Sequence, residues 1–222
     1  MIEITNLHKI YNQGSANEFE ALKGVSFKVS DKPLIIQGVS GSGKSTLLSL
    51  IAGFEKPTKG KIVVDDLLVS KLPDLHLSNY RASKIGFVFQ HFNLIESLSV
   101  MDNVIAPLIP LYKDISHIRQ LAHKAMQRVG IEHKANQNAK DLSGGEKQRC
   151  AIARALVNDA SLIICDEPTA NLDSANSQNF IEILKELRDD NKKIIIVTHD
   201  PIFESLDFEC DILRLKDGRI EE

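Results

Sequence analysis

The apolar residues of this chain change their spacing as the sequence proceeds. Near the start they alternate, in Ile2 to Ile4 and Val25 to Val29, which predicts strands with one buried face. Between them, Asn12 to Glu20 is polar and contains glycine, and reads as a loop. Further strands are predicted at Pro33 to Gln37, Lys61 to Val64 and Lys84 to Phe89. The runs Leu34 to Ile36, Leu162 to Cys165 and Ile194 to Val197 are unbroken, as in parallel strands covered on both faces. From Ile115 the spacing becomes helical: Ile115, Ile118, Leu121, Ala122, Ala125 and Val129 share a side, and Gly130 follows as a C-terminal cap. With Val100 to Tyr112 this makes a helical block of roughly fifty residues set into an α/β chain. Helices are also expected over Ser45 to Ala52, Glu146 to Val157 and Ala175 to Leu187, and a closing hairpin over Asp211 to Leu215 and Gly218 to Ile220.

Composition narrows this reading. The 222 residues suit one large α/β domain, or a main domain with a small subdomain. With 43 % apolar and 26 % charged residues, the chain has the make-up of a globular protein. A net charge of −3 gives no support to general nucleic-acid binding. Cys150, Cys165 and Cys210 are widely spaced and form no metal pattern, so they read as reduced, packed thiols of a cytosolic protein. The N-terminal residues do not resemble a signal peptide, and no apolar stretch is long enough to span a membrane. Any membrane role is therefore expected to come through a partner.

The candidate chemistry sits at strand ends. The segment Gly38 to Thr46 joins a strand to a helix with the spacing of a phosphate cradle, in which glycines let backbone N–H groups approach a polyphosphate and Lys44 adds a point charge. Gly38, Ser40, Gly41, Ser42, Gly43, Lys44, Ser45 and Thr46 are its expected nucleotide-binding residues. Asp166 and Glu167 follow the apolar run at Leu162, and His199 follows the run at Ile194. In open α/β sheets the ligand crevice lies outside the carboxyl ends of the strands, so these elements are expected to converge. Phosphoryl transfer asks the protein to position groups and neutralise charge. The expected roles are Ser45 and Asp166 for Mg²⁺, Glu167 for the attacking water, and His199 for the γ-phosphate or for fixing Glu167. Gln90, after its own strand, is an amide within reach of the Mg²⁺ shell or the water. Tyr11 suits adenine stacking, with Phe19 as the rival ring and an ordinary strand-edge tyrosine as the alternative. A second glycine-rich turn, Leu142 to Arg149, leads into a helix and offers another anion-binding start. The strip Phe92, Leu94, Ile95 and Leu98 reads equally as buried core or as an apolar groove for a partner's helix.

Taken in order, Tyr11, Gly38 to Thr46, Gln90, Leu142 to Arg149, Leu162 to Glu167, Ala170 to Asp173 and His199 resemble the A-loop, Walker A, Q-loop, signature, Walker B, D-loop and H-loop of ABC transporter ATP-binding subunits. The resemblance covers nearly the whole chain, and the signature is its most specific part. It implies an α/β fold: a mainly parallel phosphate-loop (RecA-like) core with an N-terminal antiparallel β-subdomain and an inserted α-helical subdomain. It also implies a single ATPase domain over 1–222, with core about 1–90 and 160–222 and helical subdomain about 91–158. In that family two copies sandwich two ATPs. Ser143, Gly144, Gly145 and Asp173 would thus serve the nucleotide held by the opposite copy.

Within the family the chain looks most like the subunits powering lipoprotein release and macrolide-type efflux, a group that includes a cell-division ATPase. The carriers are Asp166 to Asp173, Glu20 to Phe27, Phe87 to Leu94 and Met101 to Val104, although that group often has glycine where this chain has Ala170. The implied function is an ATP-hydrolysing subunit, cytoplasmic and peripheral on the inner membrane face, that drives a separate transmembrane permease. The ending after Asp217 leaves no room for the regulatory domain of sugar-import ATPases. A soluble ABC-type ATPase acting on nucleic acid or ribosomes is the alternative, but the long coiled coils, zinc cysteines or two fused nucleotide domains usual there do not appear in this sequence. A phosphate-loop kinase or GTPase leaves the signature unexplained.

Overall fold

The structure, a computed structural model, describes residues 1–221; Glu222, the last residue of the expected domain span, lies outside the described residues. Along the chain run β1 (Ile2–Tyr11), β2 (Phe19–Val29), β3 (Leu34–Gln37), α1 (Lys44–Ile51), β4 (Lys59–Val64), β5 (Leu67–Leu68), α2 (Asp74–Lys84), β6 (Ile85–Val88), α3 (Val100–Ile105), α4 (Ile115–Arg128), α5 (Gly144–Leu156), β7 (Leu162–Asp166), α6 (Ser174–Asp189), β8 (Lys193–Val197), β9 (Asp211–Lys216) and β10 (Arg219–Ile220). These elements form two compact units, one of Met1–Asn79 with the segment from Lys193 onward, the other Tyr80–Lys192.

The first unit contains an antiparallel sheet in the order β2-β1-β4-β5. Strand β1 runs well past the alternation seen at Ile2 to Ile4. A register shift after Ile4, with Asn6 at φ 47°, resets the phase, so that Ile2, Ile4 and Leu7 are all buried. The same unit holds β3 between two parallel neighbours, β8 and β9, and β10 folds back antiparallel on β9 as the expected hairpin. Ile35 and Ile36 on β3 and Ile195 and Ile196 on β8 are all but inaccessible, which explains their unbroken apolar runs. Helix α1 adds Leu47, Leu48, Leu50 and Ile51 to this core.

The second unit pairs β6 with β7 in parallel and carries the helical block. Strand β6 lies so close to α5 that a Cβ on Gly86 would overlap the Ala155 carbonyl. The helix expected over Val100 to Tyr112 stops early: α3 ends at Ile105, and Pro107 sits in a separate 3₁₀ turn over Ala106–Leu108. Helix α4 buries Ile118, Ala122, Ala125 and Met126, starts on an Asp114 cap and is followed by Gly130 at φ 69°. Helix α2 has no counterpart in the sequence reading, because only Leu77 and Tyr80 of its length are buried and its other positions are polar or exposed. The fold class is the expected one: α/β, with parallel strands, an N-terminal antiparallel sheet and an inserted helical block. Among the described residues no helix is long and apolar enough to cross a membrane.

Candidate nucleotide site

In the first unit the phosphate loop occupies the gap between Gln37 at the end of β3 and Lys44 at the start of α1. Gly41 and Gly43 take φ 79° and 103°, in the left-handed region that glycine tolerates. A Cβ on Gly38 would fall on the Leu215 carbonyl, and one on Gly43 would stand 2.6 Å from the Ala21 carbonyl. The loop is thus pressed against β9 at Gly38 and β2 at Gly43, and cannot carry side chains at either position. Lys44 is almost fully buried, and its ammonium donates to the carbonyls of Gly38 at 2.7 Å and Val39 at 3.0 Å. An ammonium has three donors, so one remains for an incoming oxygen. Ser42 is buried, with its Oγ lacking a hydrogen-bond partner among the described residues. A buried hydroxyl in a glycine-lined loop beside a lysine fits a polyphosphate. Ser40, Gly41 and Ser45 are exposed at the mouth of this loop.

His199 leaves the same end of the sheet. Ile36 of β3 pairs with Val197 of β8, so Gly38 and His199 each stand two residues beyond a matched pair. Thr198 N–H donates to the Ile36 carbonyl at 3.3 Å, and Asp200 N–H donates to Thr198 Oγ1 at 3.0 Å, which fixes the turn that presents the exposed His199. Tyr11 lies at the end of β1, opposite Phe19 in the register. Its hydroxyl donates to Glu55 Oε1 at 3.1 Å and lies 3.5 Å from Thr46 Oγ1; Lys9 Nζ sits 4.9 Å from the ring centroid. Burial, with Glu55 adding to it, raises the Tyr11 phenol above its ordinary value. Phe19 is 56 % exposed.

The second unit brings another set together. Val88 of β6 pairs with Cys165 of β7 in parallel, so Gln90 and Asp166–Glu167 leave the same strand ends. Glu167 has φ 47°, a costly conformation for a non-glycine residue, which turns the chain sharply just after the strand. The backbone carbonyl of exposed Gln90 accepts from Asn171 Nδ2 at 3.0 Å. Phe92 and Asn93 also have positive φ, and Arg154 of α5 donates to both of their carbonyls. In the apolar strip that follows, Phe92, Leu94 and Leu98 are half-buried and Ile95 is exposed.

The signature turn opens α5. Ser143 is the N-cap, and Glu146 closes a capping box: its Oε2 accepts from Ser143 N–H at 2.8 Å and from Ser143 Oγ at 2.9 Å. The Ser143 N–H holds the Glu146 carboxyl down at about 2, with Lys134, 3.1 Å away, assisting. Ser143 and Gly144 are exposed, and Gly145 packs against Asn176 of α6, which Asp173 caps. Cys150 and Cys165 are buried, and burial pushes both thiols up, Cys150 to about 11. Two residues of this region, Arg154 and Asn176, were not foreseen from the sequence, and Glu146 was foreseen only as the start of the helix, not as its capping carboxylate. The spacing Ser143-x-x-Glu146 is itself a capping-box signal, whereas nothing local marks Arg154 or Asn176.

A glycine-lined phosphate loop between a parallel strand and a helix defines a phosphate-loop nucleotide-binding protein. Comparison with known proteins makes the class specific. The ABC transporter family model matches residues 22–170. An uncharacterized ABC transporter ATP-binding protein of Thermotoga maritima is 40% identical over 222 residues, covering 100% of this chain and 94% of the relative. The dimeric structure of the ABC transporter cassette MJ0796 of Methanocaldococcus jannaschii matches with a TM-score of 0.91 and 39% identity, covering 100% of this chain and 97% of that one. A post-hydrolysis state of the same cassette, bound to ADP and Pi, matches with TM-score 0.91 at 38% identity, over 100% of this chain and 97% of that one. The chain belongs to the ABC transporter family. It is an ATP-binding, ATP-hydrolysing subunit of that family.

Proposed function

We propose that this chain is the motor of a membrane transporter whose permease is a separate polypeptide, and that it acts as a single ATPase domain. The ATPase part of the reading rests on the phosphate loop, with buried Lys44 and Ser42 in a cradle that has no room for a side chain at Gly38 or Gly43, and the transporter part rests on the family. Lys44 adds fixed positive charge to the β and γ phosphates, and the loop amides hold the β-phosphate. Ser45 and Asp166 hold Mg²⁺, with Gln90 at its shell. The ion, when bound, neutralises phosphate charge during transfer. Glu167 takes a proton from the attacking water or orients it, and His199 donates to the γ-phosphate. Tyr11 stacks on adenine through the ring face away from Lys9.

The dimeric MJ0796 cassette supports a second proposal, that two copies of this chain close on ATP. Ser143, Gly144, Gly145 and Asp173 of one copy then complete the site of the other. Closure is a population shift, since ATP at the shared surface favours only the closed form, and hydrolysis releases it. The permease places the chain at the cytoplasmic membrane face, and the strip around Phe92 and Leu94 receives a helix of it. The subgroup resemblance makes lipoprotein-release or macrolide-efflux systems the nearest model for the permease.

The test is Glu167→Gln, which keeps shape and removes the carboxylate. Losing a positioned general base costs about 10²- to 10⁴-fold in rate. Turnover should fall by that factor while ATP still binds, and a dimer should accumulate on a sizing column with Mg-ATP. Parental turnover would remove Glu167 from the role.

A further inference from the structure

We propose that Asn176 is a positioning residue: its amide locks the signature turn to Asp173, so that the surface one copy offers to the other's nucleotide is set as a single piece. This rests on the shared-site reading above.

Asn176 lies in the first turn of α6, and every polar group of its side chain is engaged. Its Nδ2 donates to Asp173 Oδ1 and Oδ2, each at 3.0 Å, and its backbone N–H donates to Oδ1 at 2.8 Å. Its Oδ1 accepts from Arg149 Nη1 at 3.0 Å. A neutral amide thus bridges a carboxylate and a guanidinium, with donors toward the anion and acceptor toward the cation. Bonds of this charge-assisted kind are roughly twice as strong as neutral ones.

The steric contact is independent of these bonds. A Cβ on Gly145 would stand 2.7 Å from Asn176 Nδ2 and 2.8 Å from its Cγ and Oδ1. Gly145 is helical here and has no positive φ, so a side chain at this position would have to displace the Asn176 amide from its bonds. Arg149 lies four residues beyond Gly145, on the same face of α5. The amide of Asn176 is therefore wedged against the first turn of α5 while it orients both oxygens of Asp173. Ser143, the exposed cap of that helix, and Asp173, the exposed cap of α6, cannot shift independently while the bridge stands.

The test uses the full-length chain in the Glu167→Gln background, with dimer affinity measured by sedimentation in Mg-ATP. Monomer nucleotide affinity and melting temperature are measured alongside. Asn176→Asp sets a carboxylate against Asp173 and keeps the acceptor for Arg149; Asn176→Leu keeps the bulk and removes the side-chain bonds to both partners. Each is expected to weaken dimerisation about 10- to 100-fold with monomer nucleotide affinity close to the parent's, while the melting temperature falls only by the few degrees that one or two lost charge-assisted bonds within the chain account for. Arg149→Met added to Asn176→Leu is expected to cost little more, because both remove one network. Parental dimer affinity in Asn176→Asp, or fully additive losses in the double variant, would overturn the proposal. So would a fall in dimerisation matched by collapse of the melting curve, since Asn176 would then be only a structural brace. Ser143→Arg separates the two levels. If it dimerises like the parent, the shared-site reading fails; if it blocks dimers while Asn176→Asp does not, only the positioning role fails.

Discussion

The phosphate loop and the signature turn are both glycine-rich entries into helices, yet they are built differently. In the phosphate loop the glycines are there for backbone reasons: left-handed φ at Gly41 and Gly43, and carbonyls of Leu215 and Ala21 where side chains would go. Its charge, Lys44, is buried and held by the loop's own carbonyls. In the signature turn Gly144 and Gly145 are helical, Ser143 is exposed, and the helix start is already satisfied by Glu146 of the same chain. The first is assembled for phosphate within one copy. In the second the capping hydroxyl donates to Glu146, and has to release that carboxylate before it can donate to a phosphate oxygen. Under the proposed shared site, the signature half would stay internally paired until a partner's phosphate arrives.

The largest expected contrast comes from alanine at the two kinds of glycine. Gly38→Ala drives a Cβ into the Leu215 carbonyl and should abolish nucleotide binding in calorimetry and lower the melting temperature. Gly144→Ala meets nothing nearer than the Asn171 carbonyl at 3.5 Å, and should bind nucleotide and melt like the parent. Equal damage from both would erase the distinction. Lys44→Ala removes the buried charge and should weaken ATP binding and stop turnover; unchanged affinity in equilibrium binding would remove Lys44 from the cradle.

A smaller effect sharpens the signature half. The Glu146 carboxyl is depressed from 4.5 to about 2, so the folded protein prefers it ionised more than the unfolded chain does. Its stabilisation is present above pH 4.5 and lost as pH falls from there toward 2. Glu146→Gln should therefore flatten the pH dependence of melting in that window, relative to the parent. An unchanged acid profile would show that the capping carboxylate contributes nothing. Tyr11→Phe should have the smallest effect. It loses the hydroxyl bonds to Glu55 and Thr46, worth about 0.5–1.5 kcal/mol of stability, and keeps the ring, so chemical denaturation should shift slightly while ATP affinity holds. A large loss of ATP affinity would instead make the hydroxyl a nucleotide ligand.

The sequence announces what is local or strongly periodic. The strand–loop–helix at Gly38 to Thr46 and the buried runs at Leu34, Leu162 and Ile194 coincide with structure; the α4 stripe does so in part, since Ile118, Ala122 and Ala125 are buried with Met126, which the spacing does not include, while Ile115 at the first turn is exposed. Helix α2 was not legible, because a surface helix with two buried side chains carries little periodicity. The early end of α3 was legible only in part, since Pro107 was visible but its conversion of the last turn to 3₁₀ depends on packing. The resemblance names the chemistry-bearing residues of the site, but not what holds them. Arg154 and Asn176 act through partners 61 and 27 positions away, at Asn93 and Arg149, and no window along the chain joins them.

The central claim, that each nucleotide is completed in trans by another copy's signature turn, is tested most directly by mixing two inactive variants. In a heterodimer of Lys44→Ala and Ser143→Arg, one composite site carries both lesions and the other carries neither. Each variant alone should be unable to turn over ATP, and the mixture should regain turnover well above the sum of the two. A mixture that regains turnover shows completion in trans, provided one intact site suffices; a Ser143→Arg chain that dimerises with Mg-ATP and hydrolyses it at the parental rate by itself would contradict the account.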